Sequence, residues 1–219
     1  MSGRVIIVVL GKQGAGKGTQ CKRLAETLAI PHVSTGDILR AAVRDQTALG
    51  KEVEGILAAG QLVNDELVGR LVAERFAEAD AAGGALLDGY PRNHAQAAML
   101  ESILGDDGIK LVINLDVASE LVAERLSARR VCQECGAIYR DTDIEAISGT
   151  CENCGGDVVQ RPDDQPEAIL KRLATYESDT APLLDFYAER GLLVTVDGNQ
   201  SPAEVTADIM SAVQDRDLA

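Results

Sequence analysis

Short apolar runs alternate with longer amphipathic stretches along most of this chain. The runs are continuous, which is typical of strands buried on both faces of a parallel sheet. They predict strands at residues 4–10, 32–34, 85–88, 110–116 and 192–197. The stretches between them have helical spacing and predict helices at residues 18–28, 38–44, 50–59, 65–79, 93–104, 119–128, 167–187 and 202–213. Strands that alternate with helices predict an α/β fold, with helices on both faces of a parallel sheet.

Two segments interrupt this alternation. Residues 36–64 predict only helices between one strand and the next, and residues 130–164 lose helical periodicity. The 219 residues are enough for one good-sized core with one or two small insertions. We expect both segments to be insertions over the carboxyl edge of the sheet, where the ligands of such folds bind.

The composition narrows the class of protein. Hydrophobic residues make up 46% of the chain and aromatic residues 3%, so we expect a soluble globular protein with an aliphatic core. The net charge of −14 argues against a general binder of nucleic acids or anionic membranes. No apolar stretch reaches the length of a membrane span and the N-terminus lacks a secretory pattern, so we expect a cytoplasmic protein.

A glycine-rich loop follows the first predicted strand. Three glycines lie between that strand and a helical pattern, and Lys17 follows them. Glycines let the backbone turn its N–H groups into one concavity, and the helix adds the positive end of its dipole, so the loop predicts a site for nucleotide phosphates. The strict motif has Ser or Thr after the lysine, where this chain has Gly18. The alternative is a flexible glycine turn.

Four cysteines form two C-x-x-C pairs separated by fifteen residues, namely Cys132, Cys135, Cys151 and Cys154. This spacing matches a four-thiolate zinc site. Four protein ligands leave no open position on the metal, so the zinc would be structural and would hold together an insertion too small to have its own core. Disulfides or unligated thiols are the alternative. Cys21, on the first predicted helix, is interpreted as a packed thiol.

Arginine is the second informative residue type. Guanidinium groups bind phosphates bidentately, and several in one cleft would neutralise the charge that develops in phosphoryl transfer. The candidates lie near predicted strand ends or at the borders of the insertions: Arg40, Arg92, Arg125, Arg129, Arg161 and Arg172. Taken singly, Arg125 and Arg172 are better explained as residues on solvated helix faces. Only the presence of all these arginines beside the glycine loop favours the phosphate site.

Carboxylates also follow predicted strands. Asp88 ends one of them, and a carboxylate beside a phosphate loop commonly orients magnesium. Asp163, and less clearly Asp37, are more simply explained as capping or turn residues. The two histidines, His32 and His94, are interpreted as structural or surface residues.

Together these motifs resemble adenylate kinases of the longer bacterial type, whose lid carries zinc. The resemblance runs over nearly the whole chain, through residues 14–20 (GAGKGTQ), 34–40 (STGDILR), 87–92 (LDGYPR), 129–131 (RRV), 161–164 (RPDD) and 171–173 (KRL). These kinases place Gly-Thr after the lysine, which accounts for Gly18. They usually have Pro where this chain has Gln13, and that difference loosens the turn slightly.

The resemblance implies a P-loop core at residues 1–33, 64–127 and 165–219, an AMP-binding domain at 34–63 and a zinc-binding lid at 128–164. It implies reversible in-line transfer with Mg²⁺, ATP + AMP = 2 ADP, by a monomer. In keeping with the composition, we expect no nucleic-acid or membrane partner. The residues that would act on the phosphates in the closed site are Lys17, Asp88, Arg92, Arg125, Arg161 and Arg172.

The same resemblance implies which residues hold each nucleotide. ATP would be held by Gly14, Ala15, Gly16, Lys17, Gly18, Thr19, Arg129, Ile138, Tyr139 and Gln200. AMP would be held by Thr35, Arg40, Gln61, Leu62, Val63, Gly89, Tyr90, Pro91, Arg92, Gln96, Arg161 and Arg172.

Two alternatives stay open. A kinase for UMP or CMP would share the loop, although Thr35 and Gln96 favour adenine by resemblance. A nucleotide-switched module whose zinc ribbon binds nucleic acid belongs to another class. Between the cysteine pairs, the basic residue Arg140 stands against three acidic residues, which disfavours that class: Asp141, Asp143 and Glu145.

Overall fold

The protein is described by a computed structural model that covers residues 4–144 and 148–218. Glu145 lies outside the described residues, as do the outermost residues of the expected core ranges, 1–3 and 219. The central parallel sheet consists of β1 (Val5–Gly11), β2 (His32–Ser34), β3 (Gly84–Asp88), β4 (Leu111–Asp116) and β8 (Leu193–Asp197). A separate antiparallel sheet consists of β5 (Arg129–Cys132), β6 (Ile138–Arg140) and β7 (Val158–Val159).

Helices connect the strands of the central sheet. They are α1 (Lys17–Leu28), α2 (Thr35–Arg44), α3 (Ala48–Ala58), α4 (Asp65–Phe76), α5 (His94–Leu104), α6 (Ser119–Ser127), α7 (Pro166–Thr175), α8 (Pro182–Ala188) and α9 (Pro202–Gln214). Short 3-10 turns lie at Ala79–Ala81, Gly105–Asp107, Asp141–Asp143 and Pro162–Asp164. Among the residues that the structure describes, no helix is long and apolar enough to cross a membrane.

The strands of the central sheet confirm the prediction from the apolar runs. The sheet has the order β2-β3-β1-β4-β8 with every pair parallel. Alternate residues of β1 explain why its run is continuous, because Ile6 and Val8 pack into one hydrophobic cluster and Ile7 and Val9 into another. The α/β fold with helices on both faces is therefore confirmed.

The predicted helix at 167–187 is helical throughout, but it is not a single α-helix. Tyr176–Thr180 forms a π-helical turn between α7 and α8, and the Ala181 N–H donates to the Tyr176 carbonyl oxygen at 2.8 Å. The physical reason is Pro182, which has no N–H and whose ring crowds the preceding turn. The wider turn accommodates the proline without ending the helical path.

Helix α2 begins earlier than predicted. The pattern predicted a start at residue 38, whereas the helix starts at Thr35. Ser34 is its N-cap, since the Ser34 hydroxyl accepts a hydrogen bond from the Asp37 N–H at 3.2 Å. This cap places the first turn of α2 at the carboxyl edge of the sheet, beside the end of β3.

Candidate active site

The loop after β1 has the backbone conformation that a phosphate site needs. Gly11, Gly14 and Gly16 have φ values of +133°, +89° and +101°. A Cβ on Gly11 would lie 2.6 Å from a carbonyl oxygen of β4, so no larger residue fits there. The Ala15 N–H donates to the Lys12 carbonyl oxygen at 3.1 Å and closes the turn. The loop then leads directly into α1, whose N-terminus faces the same cleft.

Lys17 is the cation of this loop. Its Nζ donates to the carbonyl oxygens of Gly11 and Lys12 at 2.7 and 2.9 Å. The pKa of Lys17 is lowered to about 8, chiefly because burial disfavours the charged ammonium; Asp88 opposes this shift and Arg92 adds to it. A phosphate beside the ammonium would favour its charged form, so proton binding by Lys17 and anion binding support each other.

Asp88 ends β3 next to the loop. Its side chain faces the first turn of α1, because a Cβ on Gly18 would lie 3.6 Å from Asp88 Oδ2. His32 Nε2 lies 3.3 Å from the same oxygen. The interpretation of His32 as merely structural was therefore incomplete, since it contacts a carboxylate of the site. Cys21 is fully buried in the core, which confirms that it is a packed thiol.

Several guanidinium groups are desolvated in the cleft beside the loop. The pKa of Arg92 is lowered to about 10 and that of Arg161 to about 9, in each case first by burial and then by neighbouring arginines. Burial also lowers the pKa of Arg172, which is 9% exposed, so its interpretation as a solvated residue was wrong. Arg125 is partly buried and donates to the Gly198 carbonyl oxygen at 3.3 Å. A polyanion would relieve this crowding of positive charge.

The loop opens into a cleft of about 1780 Å³. All ten residues assigned to ATP by resemblance line this cleft, and so do all six that were expected to act on the phosphates. The lining comes from the sheet edge, from α1 and from the small antiparallel sheet, whose Ile138 and Tyr139 form part of the far wall. The fold thus brings together residues that are far apart in sequence.

A narrow pocket of about 50 Å³ adjoins this cleft. Nine of the twelve residues assigned to AMP line it; Pro91 and Arg161 line the larger cleft instead. The Tyr90 side chain is fully buried and lines neither cavity. The two cavities share three arginines, Arg40, Arg92 and Arg172.

Hydrogen bonds fix the polar groups of the narrow pocket. The Thr35 hydroxyl donates to the Gly89 carbonyl oxygen at 3.0 Å. The Gln96 Oε1 accepts from the Arg92 N–H at 2.8 Å, and its Nε2 donates to an Asp65 carboxylate oxygen at 2.7 Å. The orientation of the Gln96 amide is therefore set from both ends, and one N–H of Nε2 stays available as a donor.

The four cysteines of the predicted metal site lie in one group. Their sulfur atoms are all within 4.8 Å of one another, and the pairs Cys132–Cys154 and Cys135–Cys151 are each 3.5 Å apart. These separations are too long for disulfides and close to the roughly 3.8 Å between ligand sulfurs around a tetrahedral zinc ion. The donor set therefore fits zinc.

Comparison with known proteins decides the family. A profile described as Adenylate kinase matches residues 9–192. The chain belongs to the adenylate kinase family. Relatives named adenylate kinase in Thermoanaerobacter sp., Symbiobacterium thermophilum and Caldanaerobacter subterraneus subsp. tengcongensis are 46%, 48% and 45% identical to it. These matches cover 96%, 95% and 94% of this chain and 98%, 98% and 95% of the relatives.

In this adenylate kinase-family chain, a buried ion-pair network lies where the small sheet joins the core. Asp164 is fully buried, and its two carboxylate oxygens accept from the Arg129 guanidinium at 2.8 and 2.6 Å. The same carboxylate accepts from Arg172 at 3.2 Å, and Asp163 lies 3.1 Å from that arginine. Interpreting Asp163 only as a turn residue was wrong. Nothing in the sequence alone identified Asp164 as the centre of the network.

One hydrogen bond joins the two insertions across the cleft. The Arg44 guanidinium, at the end of α2, donates to the Glu134 carbonyl oxygen at 3.2 Å. Glu134 lies between Cys132 and Cys135. The contact therefore connects residues 34–63 with the ribbon, which consists of β5, β6, β7 and the four cysteines. Sequence reasoning missed this contact, because neither residue carries a motif.

Proposed function

We propose that this chain catalyses the reversible, magnesium-dependent transfer of the γ-phosphoryl group from ATP to AMP, giving two ADP. Its membership of the adenylate kinase family supports this reaction. The observation that carries the proposal is that the cleft and the narrow pocket meet at Arg40, Arg92 and Arg172. Two nucleotides bound in these cavities would meet through their phosphates, where the positive charge is concentrated.

ATP would occupy the cleft beside the phosphate loop. The backbone N–H groups of residues 14–19 would bind its phosphates, with Lys17 on the β and γ groups. Arg129, Ile138, Tyr139 and Gln200 would contact the rest of ATP, and all four line the same cleft. The buried, mutually repelling cations would bind this polyanion more tightly than any one of them could alone.

AMP would occupy the narrow pocket. The free N–H of Gln96 Nε2 fits a base that presents an acceptor at the matching position, as adenine N1 does. Uracil presents an N–H there and would be disfavoured, whereas cytosine presents an acceptor. Arg40, Arg92 and Arg172 would hold the AMP phosphate at the mouth of the pocket.

The chemistry needs no general base. The attacking group is a phosphate oxygen that is already ionised at neutral pH, and His32 is engaged with Asp88. The protein would act by aligning the two phosphates and by stabilising the transferring group with Lys17, Arg125 and Arg161. Magnesium bound to ATP would supply further positive charge, and Asp88, which lines the cleft beside the loop, would orient it.

The site would have to exclude water, which competes with AMP as acceptor. We infer that residues 34–63 form the AMP-binding domain and residues 128–164 the lid, and that both close over the core at 1–33, 64–127 and 165–219. Cys132, Cys135, Cys151 and Cys154 would hold a zinc ion that keeps the lid rigid. A monomeric state, a cytoplasmic location and the lack of nucleic-acid and membrane partners stay predictions from the sequence.

A panel of four monophosphates tests the acceptor. AMP, GMP, CMP and UMP are each supplied with ATP and magnesium, and ADP formation is measured by a coupled assay. We expect AMP to be strongly preferred. A preference for CMP or UMP would replace this function with that of a pyrimidine monophosphate kinase. Salt-dependent binding to single-stranded nucleic acid, without turnover of any monophosphate, would favour the binding-module alternative.

A further inference from the structure

Tyr139 makes a contact that its expected role beside ATP does not require. It lies in β6 of the ribbon, opposite Arg130 of β5. Its hydroxyl oxygen is 3.2 Å from the Cys151 sulfur and accepts a hydrogen bond from the Glu152 N–H at 3.2 Å. The side chain thus reaches from the sheet of the lid to the second cysteine pair.

The direction of these hydrogen bonds follows from the atoms. The Glu152 N–H can only donate, so it occupies a lone pair of the Tyr139 oxygen. The hydroxyl proton of Tyr139 is then free to point at the Cys151 sulfur, which accepts when it is a zinc-bound thiolate. By contrast, the buried hydroxyls of Tyr90 and Tyr187 have no hydrogen-bond partner among residues 4–144 and 148–218. A bonded hydroxyl is therefore not a general property of the tyrosines in this protein.

The same side chain also lines the cleft. We propose that Tyr139 is a positioning residue that holds the Cys151 thiolate through its hydroxyl and thereby couples metal binding in the lid to ATP binding in the cleft. The second half of this proposal rests on the proposed function, since it needs ATP in the cleft. The first half concerns only the metal site and can be tested without turnover.

Coupling of this kind is reciprocal. If an ordered metal site improves the affinity for ATP by a given factor, ATP must improve the affinity for the metal by the same factor. Tyr139 connects the two because displacing the sulfur would move the ring that lines the cleft, and moving the ring would break the contact with the sulfur. Removing only the hydroxyl should uncouple the two sites and leave the ring in place.

The test measures zinc loss from the full-length, zinc-loaded chain to a chromogenic zinc chelator. Tyr139→Phe is expected to bind zinc about 10- to 100-fold more weakly, the range seen when partners of metal ligands are removed, and to lose it correspondingly faster. Tyr187→Phe is the matched control, because its hydroxyl makes no hydrogen bond, and it should behave like the parent. Equal rates of loss in the parent and Tyr139→Phe would overturn the proposal.

A second arm tests the coupling. Saturating ATP with excess magnesium, and no AMP, should raise the zinc affinity of the parent about fivefold or more, measured by competition with the chelator, and should slow its zinc loss; neither should change in Tyr139→Phe. In turnover assays the variant should show a raised KM for ATP with kcat and the KM for AMP unchanged. An equal response to ATP in both proteins would overturn the coupling. A parent without turnover would contradict the proposed function, while zinc loss would still decide the role of the hydroxyl.

Discussion

Strand β1 of the central sheet buries apolar side chains on both faces, whereas the ribbon, formed by β5, β6, β7 and the four cysteines, buries few. The ribbon's own cluster contains three buried residues, Cys132, Cys151 and Val158, and two of them are candidate metal ligands. The core is therefore stable through burial of apolar area, and the ribbon needs another source of stability. If residues 128–164 form the proposed lid, such a division would let them move as one body.

The two regions also differ in the charge that they hold. The cleft beside the sheet contains several desolvated cations, so binding an anion there is expected to stabilise it. The ribbon contains four clustered thiols, so binding a metal cation such as zinc is expected to stabilise it. Each region would thus be completed by a ligand of the opposite charge, and the first two predictions remove the groups that would bind these ligands.

The largest expected effect is loss of the metal site. Replacing Cys135 and Cys154 with Ala should prevent zinc binding and unfold the ribbon while the core stays folded, because zinc contributes about 10–16 kcal/mol in small zinc domains. Native mass spectrometry measures the metal, and hydrogen exchange measures the two regions separately. Cys21→Ala is the control and should keep its zinc, since Cys21 packs in the core. Zinc-free native parent protein would contradict the four-thiolate site.

Removing the cation of the phosphate loop should leave both regions folded and strongly slow phosphoryl transfer. Lys17→Met is expected to lower kcat by about 100-fold or more, which is typical when a fixed electrostatic contact to the transferring group is lost. Lys12→Met is the matched control in the same loop, because the Lys12 ammonium lies 3.4 Å from a Glu177 carboxylate oxygen and is not free to bind phosphate. Near-normal turnover by Lys17→Met, with the fold intact, would refute the role of the loop.

The cleft should also respond to pH through Lys17. Because the pKa of Lys17 is lowered to about 8, its ammonium is charged below that pH and loses its proton as the pH rises through it. We expect kcat/KM for ATP to fall about tenfold per pH unit above about pH 8, while the kcat profile shifts to higher pH because bound phosphate favours the charged form. Steady-state rates between about pH 7 and 9.5 check this. A flat kcat/KM profile would show that the charge on Lys17 does not matter.

The smallest expected effect concerns Gln13. The hydrogen bond from the Ala15 N–H to the Lys12 carbonyl and the φ of +89° at Gly14 are those of a type II turn, in which Gln13 holds the position that favours Pro. Within residues 4–144 and 148–218 its own N–H has no backbone partner. Gln13→Pro should therefore stabilise the core by about 0.4–1 kcal/mol. Thermal unfolding of the zinc-loaded chain measures it, and a lowered Tm would show that proline does not fit.

The same contrast explains what the sequence could predict. The strands of the central sheet were predictable because burial on both faces requires continuous apolar runs such as 4–10. The strands of the ribbon were not, because β7 has two residues and leaves no periodic pattern. The cysteine spacing predicted that the four thiols lie together but did not predict the sheet around them.

Single charged residues were the hardest to interpret. Arg172 looked like a solvated helical residue because its partners, Asp163 and Asp164, come from a turn that only the fold brings to it. Burial of Asp164 depends on arginines from two different elements, so no local pattern identifies it. The glycine loop was predictable because its chemistry is contained in consecutive residues.

The most direct measurement follows ADP alone. Purified, zinc-loaded protein is incubated with ADP and magnesium, and ³¹P NMR records the nucleotides and inorganic phosphate over time. If two ADP molecules bind with their phosphates meeting at the shared arginines, the protein should convert them into ATP and AMP until equilibrium is reached. No inorganic phosphate should be released. Unchanged ADP, or release of inorganic phosphate in place of ATP, would contradict transfer between two nucleotides in a closed site.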